Sequence, residues 1–329
     1  MKRDNQSEFQ VSPVHAVRYR MRRVIHLVPF VAITILTSVM TSCFTGIEST
    51  PRISAKEIRK QKASDSPEKL FLADLASQPT SEWRPGKKFI VTDPRVDLIF
   101  ERSTGIAGGR KAGDTLELTS IRPALSITGE RQTLLDFVSA SGDTLLYRTN
   151  IDSEEFGRRK SPLLIPFTVE ASLIDSASSR LVGNTYYILP QRRVSAMGRD
   201  TVGLRYVPVR ITSVSAGDAY YPLRIHFSPD DSSLLMTVGN GPASTRNFET
   251  LFAFDDPRKS YPQISDDNWS LITNSRVVLG MTPQEARLAL GPPNTWSQRP
   301  STAGMVERWT YEDGVYLIFV DGLLSQFRR

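Results

Sequence analysis

Gly280-Met281-Thr282-Pro283-Gln284-Glu285-Ala286-Arg287-Leu288-Ala289-Leu290-Gly291-Pro292-Pro293 specifies a short helix at both of its ends. Thr282 followed by Glu285 is a capping box, in which hydroxyl and carboxylate each take an amide that the helix start leaves unpaired. Pro283 falls on the first helical position, where its missing N–H costs nothing, and Met281 is placed to staple onto Ala286. Ala286, Ala289 and Leu290 share a face, and Gly291 with Pro292 behind it is a C-terminal stop. Two turns of helix are not stable alone in water, so this one must dock on a partner element.

The partner follows directly. Val306–Tyr311 reads as a strand with Trp309 and Tyr311 on one face; Asp313-Gly314 is a turn signal, Val315–Val320 a second strand, Asp321-Gly322 another turn and Leu323–Phe327 a third strand. Upstream, Ser265 or Asp266 can cap a helix carrying Trp269 and Ile272. The expected domain, residues 265–329, is α+β: helix, helix, then a three-stranded antiparallel meander. Gly-Met-Thr, a short helix, Leu-Gly-x-Pro and an aromatic-rich hairpin together resemble the BamE (SmpA/OmlA) family of small outer-membrane lipoprotein domains. The resemblance implies an accessory role beside the machinery that inserts β-barrels into the outer membrane. Ala286 departs from the larger apolar residue usual in that family, and a long extra region precedes the domain. The motif residues themselves build the fold and are not expected to form a site.

The N-terminus reads as an address. Arg22-Arg23, an apolar run from Ile25 to Met40 and Thr41-Ser42-Cys43 have the layout of a secretory signal, too short for a comfortable membrane span. Residues 40–43 resemble a lipobox, with Met40 where leucine is usual, and this implies cleavage before Cys43 and acylation of its thiol. The expected organisation is a signal peptide at 1–42, a lipidated Cys43 with a flexible tether to residue 66, and a short docking helix within 67–81. Met21 heads a signal peptide of ordinary shape, so translation is expected to start there.

Of 41 Lys and Arg against 35 Asp and Glu, six and two lie in residues 1–43. That leaves 35 (41 less 6) against 33 (35 less 2), a balance of +2, and removes the charge argument for nucleic-acid binding. Cys43 is the only cysteine, which excludes intramolecular disulfides and cysteine-based metal sites.

Residues 82–255 are dominated by short β-branched and aromatic runs between Gly, Pro, Asp and Ser. The candidate strands are 88–91, 115–121, 134–138, 144–148, 163–173, 185–189, 206–214, 221–227 and 233–238. The charged run Glu154–Lys160 reads as a break between a first β module, 82–157, and a second, 158–258. The central region is therefore expected to be mainly β, in small barrel or sandwich modules, SH3-like barrels among the forms that fit. Gly86–Ile90, Gly113-Asp114 and Asp136-Phe137 echo Gly183–Tyr187, Gly217-Asp218 and His226-Phe227, which raises a duplication.

Catalytic groups are few. His15 and His26 fall in the signal segment, leaving His226 as the one histidine through which a Ser-His arrangement could run. The pairs Asp230-Asp231, Asp255-Asp256 and Asp266-Asp267 sit at turns or a helix start, whereas a glycosidase needs acids facing each other across a cleft. No nucleophile elbow or phosphate loop is present, and Gly105–Gly113 reads as a loop. No catalytic residue, metal ligand or cofactor is expected. Tyr186, Tyr187, Tyr206, Tyr220, Tyr221, Trp296, Trp309, Tyr311 and Tyr316 are the candidates for binding. Trp296, in the expected loop after Pro293, is the one expected to be exposed and to meet a partner, with Trp309 in the core.

The chain thus reads as a non-enzymatic, lipid-anchored envelope protein. Phe44 after the cysteine, with no acidic run beyond it, is expected to direct it to the periplasmic face of the outer membrane. The alternatives are a cell-wall or glycan-binding module and a carboxylate hydrolase. Changing Met21 to a non-start codon is expected to abolish expression, read by immunoblot.

Overall fold

The computed structural model describes residues 66–104, 109–218, 220–238, 246–302 and 304–328. Cys43, the signal segment and the tether up to residue 65 lie outside them. The described chain is mainly β, with three antiparallel sheets and few helices.

The first sheet contains β1 (Lys88–Val91), β2 (Glu101–Thr104), β3 (Thr115–Leu125), β4 (Arg131–Ser139), β5 (Thr144–Arg148) and β6 (Thr168–Glu170), in the order β2-β5-β4-β3-β1-β6. The second contains β7 (Thr185–Ile188), β8 (Arg192–Val194), β9 (Asp200–Val202), β10 (Val207–Ala216), β11 (Leu223–Ser228), β12 (Ser232–Met236) and β13 (Phe252–Ala253). Its order is β13-β7-β10-β11-β12-β8-β9. With β8 and β9 counted as one hairpin, both sheets follow the same path.

The correspondence extends to single hydrogen bonds. Gly86 N donates to Leu118 O (2.7 Å) and Leu118 N to Lys87 O (2.8 Å); Gly183 N donates to Ile211 O (2.9 Å) and Ile211 N to Asn184 O (3.0 Å). Both glycines have positive φ, +93° and +86°, which a side chain would strain. One extra residue bulges β3 between Leu118 and Ser120, and one bulges β10 between Ile211 and Ser213. Leu118 faces Phe137 there, and Ile211 faces Phe227. Two of the three sequence echoes therefore mark equivalent places. The third does not, because Gly113-Asp114 precedes β3 whereas Gly217-Asp218 follows β10.

Two sequence expectations for this region need correction. The charged run at 154–160 is not a free break: Asp152 caps a helix, α2 (Ser153–Arg158), whose Phe156 is buried against Trp83 in the first core. The boundary expected at residue 157 thus falls inside the first module, which continues through β6. Residues 163–173 are not one strand. Only Thr168–Glu170 pair with β1, and from Ala171 the chain turns into α3 (Ala171–Leu181), which buries Leu173, Ala177 and Leu181 in the second core. The expected docking helix exists as α1 (Pro67–Phe71), capped by Ser66. It packs on the second module beside α4 (Phe248–Leu251), with Phe71 against Phe248 at 4.8 Å between ring centroids.

In the C-terminal domain, α5 (Asp266–Thr273) and α6 (Pro283–Leu290) cover one face of a sheet. Ser265 caps α5, and both halves of the capping box at Thr282 and Glu285 form. Burial raises the Glu285 pKa, but hydrogen bonds from the Thr282 amide, Asn268 and the Thr282 hydroxyl outweigh it and leave the carboxyl below its usual range. The sheet has four strands, not three: β14 (Thr295–Ser301), β15 (Gly304–Thr310), β16 (Tyr316–Val320) and β17 (Leu323–Arg328). The extra edge strand is polar, exposed throughout and carries Pro300, so its sequence lacks the apolar alternation of a strand. Trp309 is buried in the core beneath the helices, its ring tilted against Phe319 at 4.9 Å between centroids.

This domain is clamped to the second module by two residues. Arg205 donates to Leu189 O (2.8 Å) and Ala289 O (3.0 Å); the Tyr206 hydroxyl donates to Leu288 O (3.0 Å), and its ring packs on Trp269. The last carbonyls of α6, which a helix cannot satisfy itself, are thus met by another module. Tyr206→Phe is expected to cost about 1 kcal/mol and Arg205→Ala roughly 2–3 kcal/mol. Urea unfolding should show the Arg205→Ala protein releasing its C-terminal domain, followed by Trp269 and Trp309 emission, before the β modules. A single unchanged transition would contradict the clamp.

Candidate functional site

The first two modules meet at a mostly apolar cleft of about 580 Å³, within the roughly 300–1,000 Å³ usual for ligand sites. One wall is the loop from Pro162 to Pro166, held at both ends by prolines, with Leu164 mostly exposed (70%). Phe89 of β1 and Thr168 to Glu170 of β6 form the floor. Leu75, just beyond α1, and Tyr220 and Pro222 from the β10–β11 turn close the other side. Asp218 accepts hydrogen bonds from the amides of Tyr220 and Tyr221, both at 2.8 Å, and so fixes the turn that presents Tyr220.

A buried ion pair sits in this wall. Lys87 Nζ donates to Glu170 Oε2 at 2.7 Å, with side-chain exposures of 7% and 5%. The same Oε2 accepts from the Gln78 amide (3.1 Å), and Lys87 Nζ also reaches Gln78 Oε1 (2.7 Å). The ammonium lies over the rings of Trp83 and Phe89, at 5.3 and 5.5 Å from their centroids. Lys87 is therefore fully engaged. Glu170 is not: its Oε1 is buried with no hydrogen-bond partner, a state that calls for an explanation in a carboxylate. The Thr168 hydroxyl is committed to Ile165 O (2.9 Å). The cleft offers apolar contact and one unused acceptor, a set suited to binding.

The residues singled out in the sequence are scattered around this cleft. Trp296 is exposed (64%), but it stands in β14 opposite Trp309 and not in a loop. Cys43 lies outside the described residues, as do residues 105–108 of the glycine-rich loop. His226 does meet a serine: its Nε2 is 2.9 Å from Ser215 Oγ on the neighbouring strand. Neither residue lines the cleft. The aspartate pairs serve turns and caps: Asp230 is paired with buried Arg193, Asp256 accepts from Arg258 N at 2.9 Å, and Asp266 meets Arg258 at 3.1 Å. Among the described residues, no group of three His, Cys, Asp or Glu is placed to hold a metal ion.

The aromatic candidates are likewise dispersed. Tyr186 is in the second core, and Tyr221 stacks with Arg246. Tyr311 is bonded to Gly291 O, with burial pushing its pKa up to about 12. Tyr220, 84% exposed, is the one at the cleft. Sequence reasoning missed Glu170, Lys87 and Leu164. The signal available for the last was the pair of prolines bracketing Leu163-Leu164-Ile165, which marks an apolar loop and not a strand.

The chain matches no protein-family model, no curated protein and no solved structure.

The burial of His226 has a measurable consequence. Burial lowers the His226 pKa below its ordinary 6.5, and Arg224 adds to this, against a smaller opposing effect of Asp231. The unfolded chain then binds the proton first, so stability falls as pH drops below about 6.5. His226→Gln is expected to flatten that slope in urea unfolding at pH 7 and pH 5. An unchanged slope would place the histidine outside the balance.

Proposed function

We propose that this protein is a non-catalytic accessory of the bacterial envelope, anchored by acyl chains on Cys43 at the periplasmic face of the outer membrane. In this reading the protein works by binding, and the cleft beside Glu170 is its working surface. The observation that carries the reading is that cleft: an apolar seat of ligand size between two modules, with a buried ion pair of the first module in its wall. The two β modules are small barrels of the SH3 type, and residues 265–329 are an α+β domain of the BamE kind with one additional edge strand. That domain docks an envelope protein, by resemblance a component of outer-membrane assembly, and Trp296 is the exposed aromatic in position for it.

A glycan-binding role would draw on aromatic side chains gathered into one platform. The exposed aromatics Tyr220 and Trp296 belong to different modules, and the cleft wall is largely aliphatic. Apolar contact therefore has more support than sugar stacking. The carboxylate-hydrolase alternative draws no support from the aspartate pairs, each engaged in a turn or cap.

Cross-linking in living cells tests this directly. The wild-type lipoprotein is expected to capture an envelope protein, and Cys43→Ala to leave the membrane fraction and lose that capture. Deleting 265–329 should remove assembly components in particular. Capture of cell-wall glycan alone, or membrane attachment that survives Cys43→Ala, would overturn the reading.

A further inference from the structure

The second sheet repeats the strand path of the first, and α1 packs on the positions of the second module that correspond to this cleft. Strand register defines the equivalence. Val91 pairs with Thr168 and Ile90 with Val169; Ile188 pairs with Phe252 and Tyr187 with Ala253. The next backbone contact is also shared, Thr92 N to Phe167 O (2.8 Å) in one and Leu189 N to Leu251 O (2.9 Å) in the other. On this register Phe89 corresponds to Tyr186 and Glu170 to Phe254; three residues before the last shared contact stand Leu164, in a loop, and Phe248, in a helix. In the second module Phe71 of α1 packs on three rings, with centroids at 6.2 Å from Tyr186, 4.8 Å from Phe248 and 5.1 Å from Phe254. Glu68 of the same helix accepts from the Phe254 amide at 3.3 Å. In the first module Phe89 and Glu170, both buried, line the cleft together with the exposed Leu164.

We propose that this cleft is a peptide seat. It takes a short segment of a partner protein that inserts one large apolar side chain between Phe89 and Leu164 and brings an N–H donor or a cation to Glu170 Oε1. This rests on the reading that the protein acts by binding. A peptide is favoured as occupant because a helix of this chain covers the two register-equivalent positions, Tyr186 and Phe254, in the second module. The partner differs from α1 in charge, since Glu170 stands where Phe254 stands in the other groove. An incoming segment with a glutamate at the place of Glu68 meets a carboxylate; a segment with a lysine there meets an unused acceptor. Asp218 adds a second acid at the rim. The same repulsion keeps α1 itself in its own groove, which is specificity by exclusion.

The probe is a peptide with the sequence of residues 65–77 and a lysine at the place of Glu68, with a photoreactive benzoyl-phenylalanine at the place of Phe71. With the protein from Cys43 onward, saturable binding is expected, with cross-links at 162–170 or around Tyr220. The unaltered acidic peptide should bind about tenfold more weakly, and a peptide with alanine for the phenylalanine not at all. Leu164→Asp, at an exposed rim position, should abolish binding without disturbing the core. Glu170→Gln should erase the preference for lysine. Because that variant strands Lys87, its folding is checked by circular dichroism, and Leu164→Asp carries the test if it fails. Cross-links confined to 246–254, equal binding of both peptides, or binding unchanged in Leu164→Asp would overturn the proposal. So would saturable uptake of decylamine with no peptide binding, which would make the cleft a seat for aliphatic chains. Those outcomes leave the envelope-accessory reading intact, since that reading stands or falls on the cellular capture.

Discussion

The salt bridge between Lys87 and Glu170 joins three stretches of chain at one buried point. Lys87 belongs to the turn that opens β1, Glu170 is the last residue of β6, and Gln78 comes from the segment that leaves the second module after α1. Removing one member of such a buried pair strands the other charge, at a cost of roughly 3–5 kcal/mol. Glu170 is also the N-cap residue of α3, yet its side chain makes no capping bond. The carboxylate is turned instead to the lysine and the Gln78 amide while remaining at the positive end of the helix. One side chain thus ends the first module, starts the second and fixes the segment that runs between them.

Two copies of one strand path have acquired different interiors. The second groove is filled with aromatic rings, where Phe71, Tyr186, Phe248 and Phe254 lie within about six ångströms of one another. The first has Phe89 and Glu170 at the places of Tyr186 and Phe254, so its floor is smaller and charged. An aromatic floor closes by burying a ring of the same chain. A floor that ends in a carboxylate does not close that way, because a buried anion needs donors that an apolar side chain cannot supply. The same fold is therefore finished internally in one copy and left open in the other.

How much of this was legible depended on where the information is stored. The capping box, the helix stops and the alternating strands are local, and the sequence reading of α6, β1, β5 and β15 to β17 is close to the structure. Phe156 looked like part of a charged break because its helix is short and acidic, and only the distant Trp83 shows that it belongs to a core. β14 escaped because an exposed edge strand needs no apolar face. Glu170 and Lys87 are 83 residues apart, so neither announces the other. The duplication was half visible: the bulge-facing Asp136-Phe137 and His226-Phe227 matched, while the drifting offset reflects loops of unequal length around a shared strand path.

The clamp of Arg205 and Tyr206 on α6 completes the mechanical picture. Tyr206 has a φ of +57°, unusual for a bulky residue, and the strain persists because its amide, hydroxyl and ring are all engaged: with Ile188 O at 2.6 Å, Leu288 O and Trp269. A helix too short to stand alone is therefore held by its own capping box at one end and by a neighbouring module at the other. Such an arrangement transmits force and position. A surface presented by the C-terminal domain keeps a fixed relation to the second sheet, whose β10–β11 turn forms one wall of the cleft.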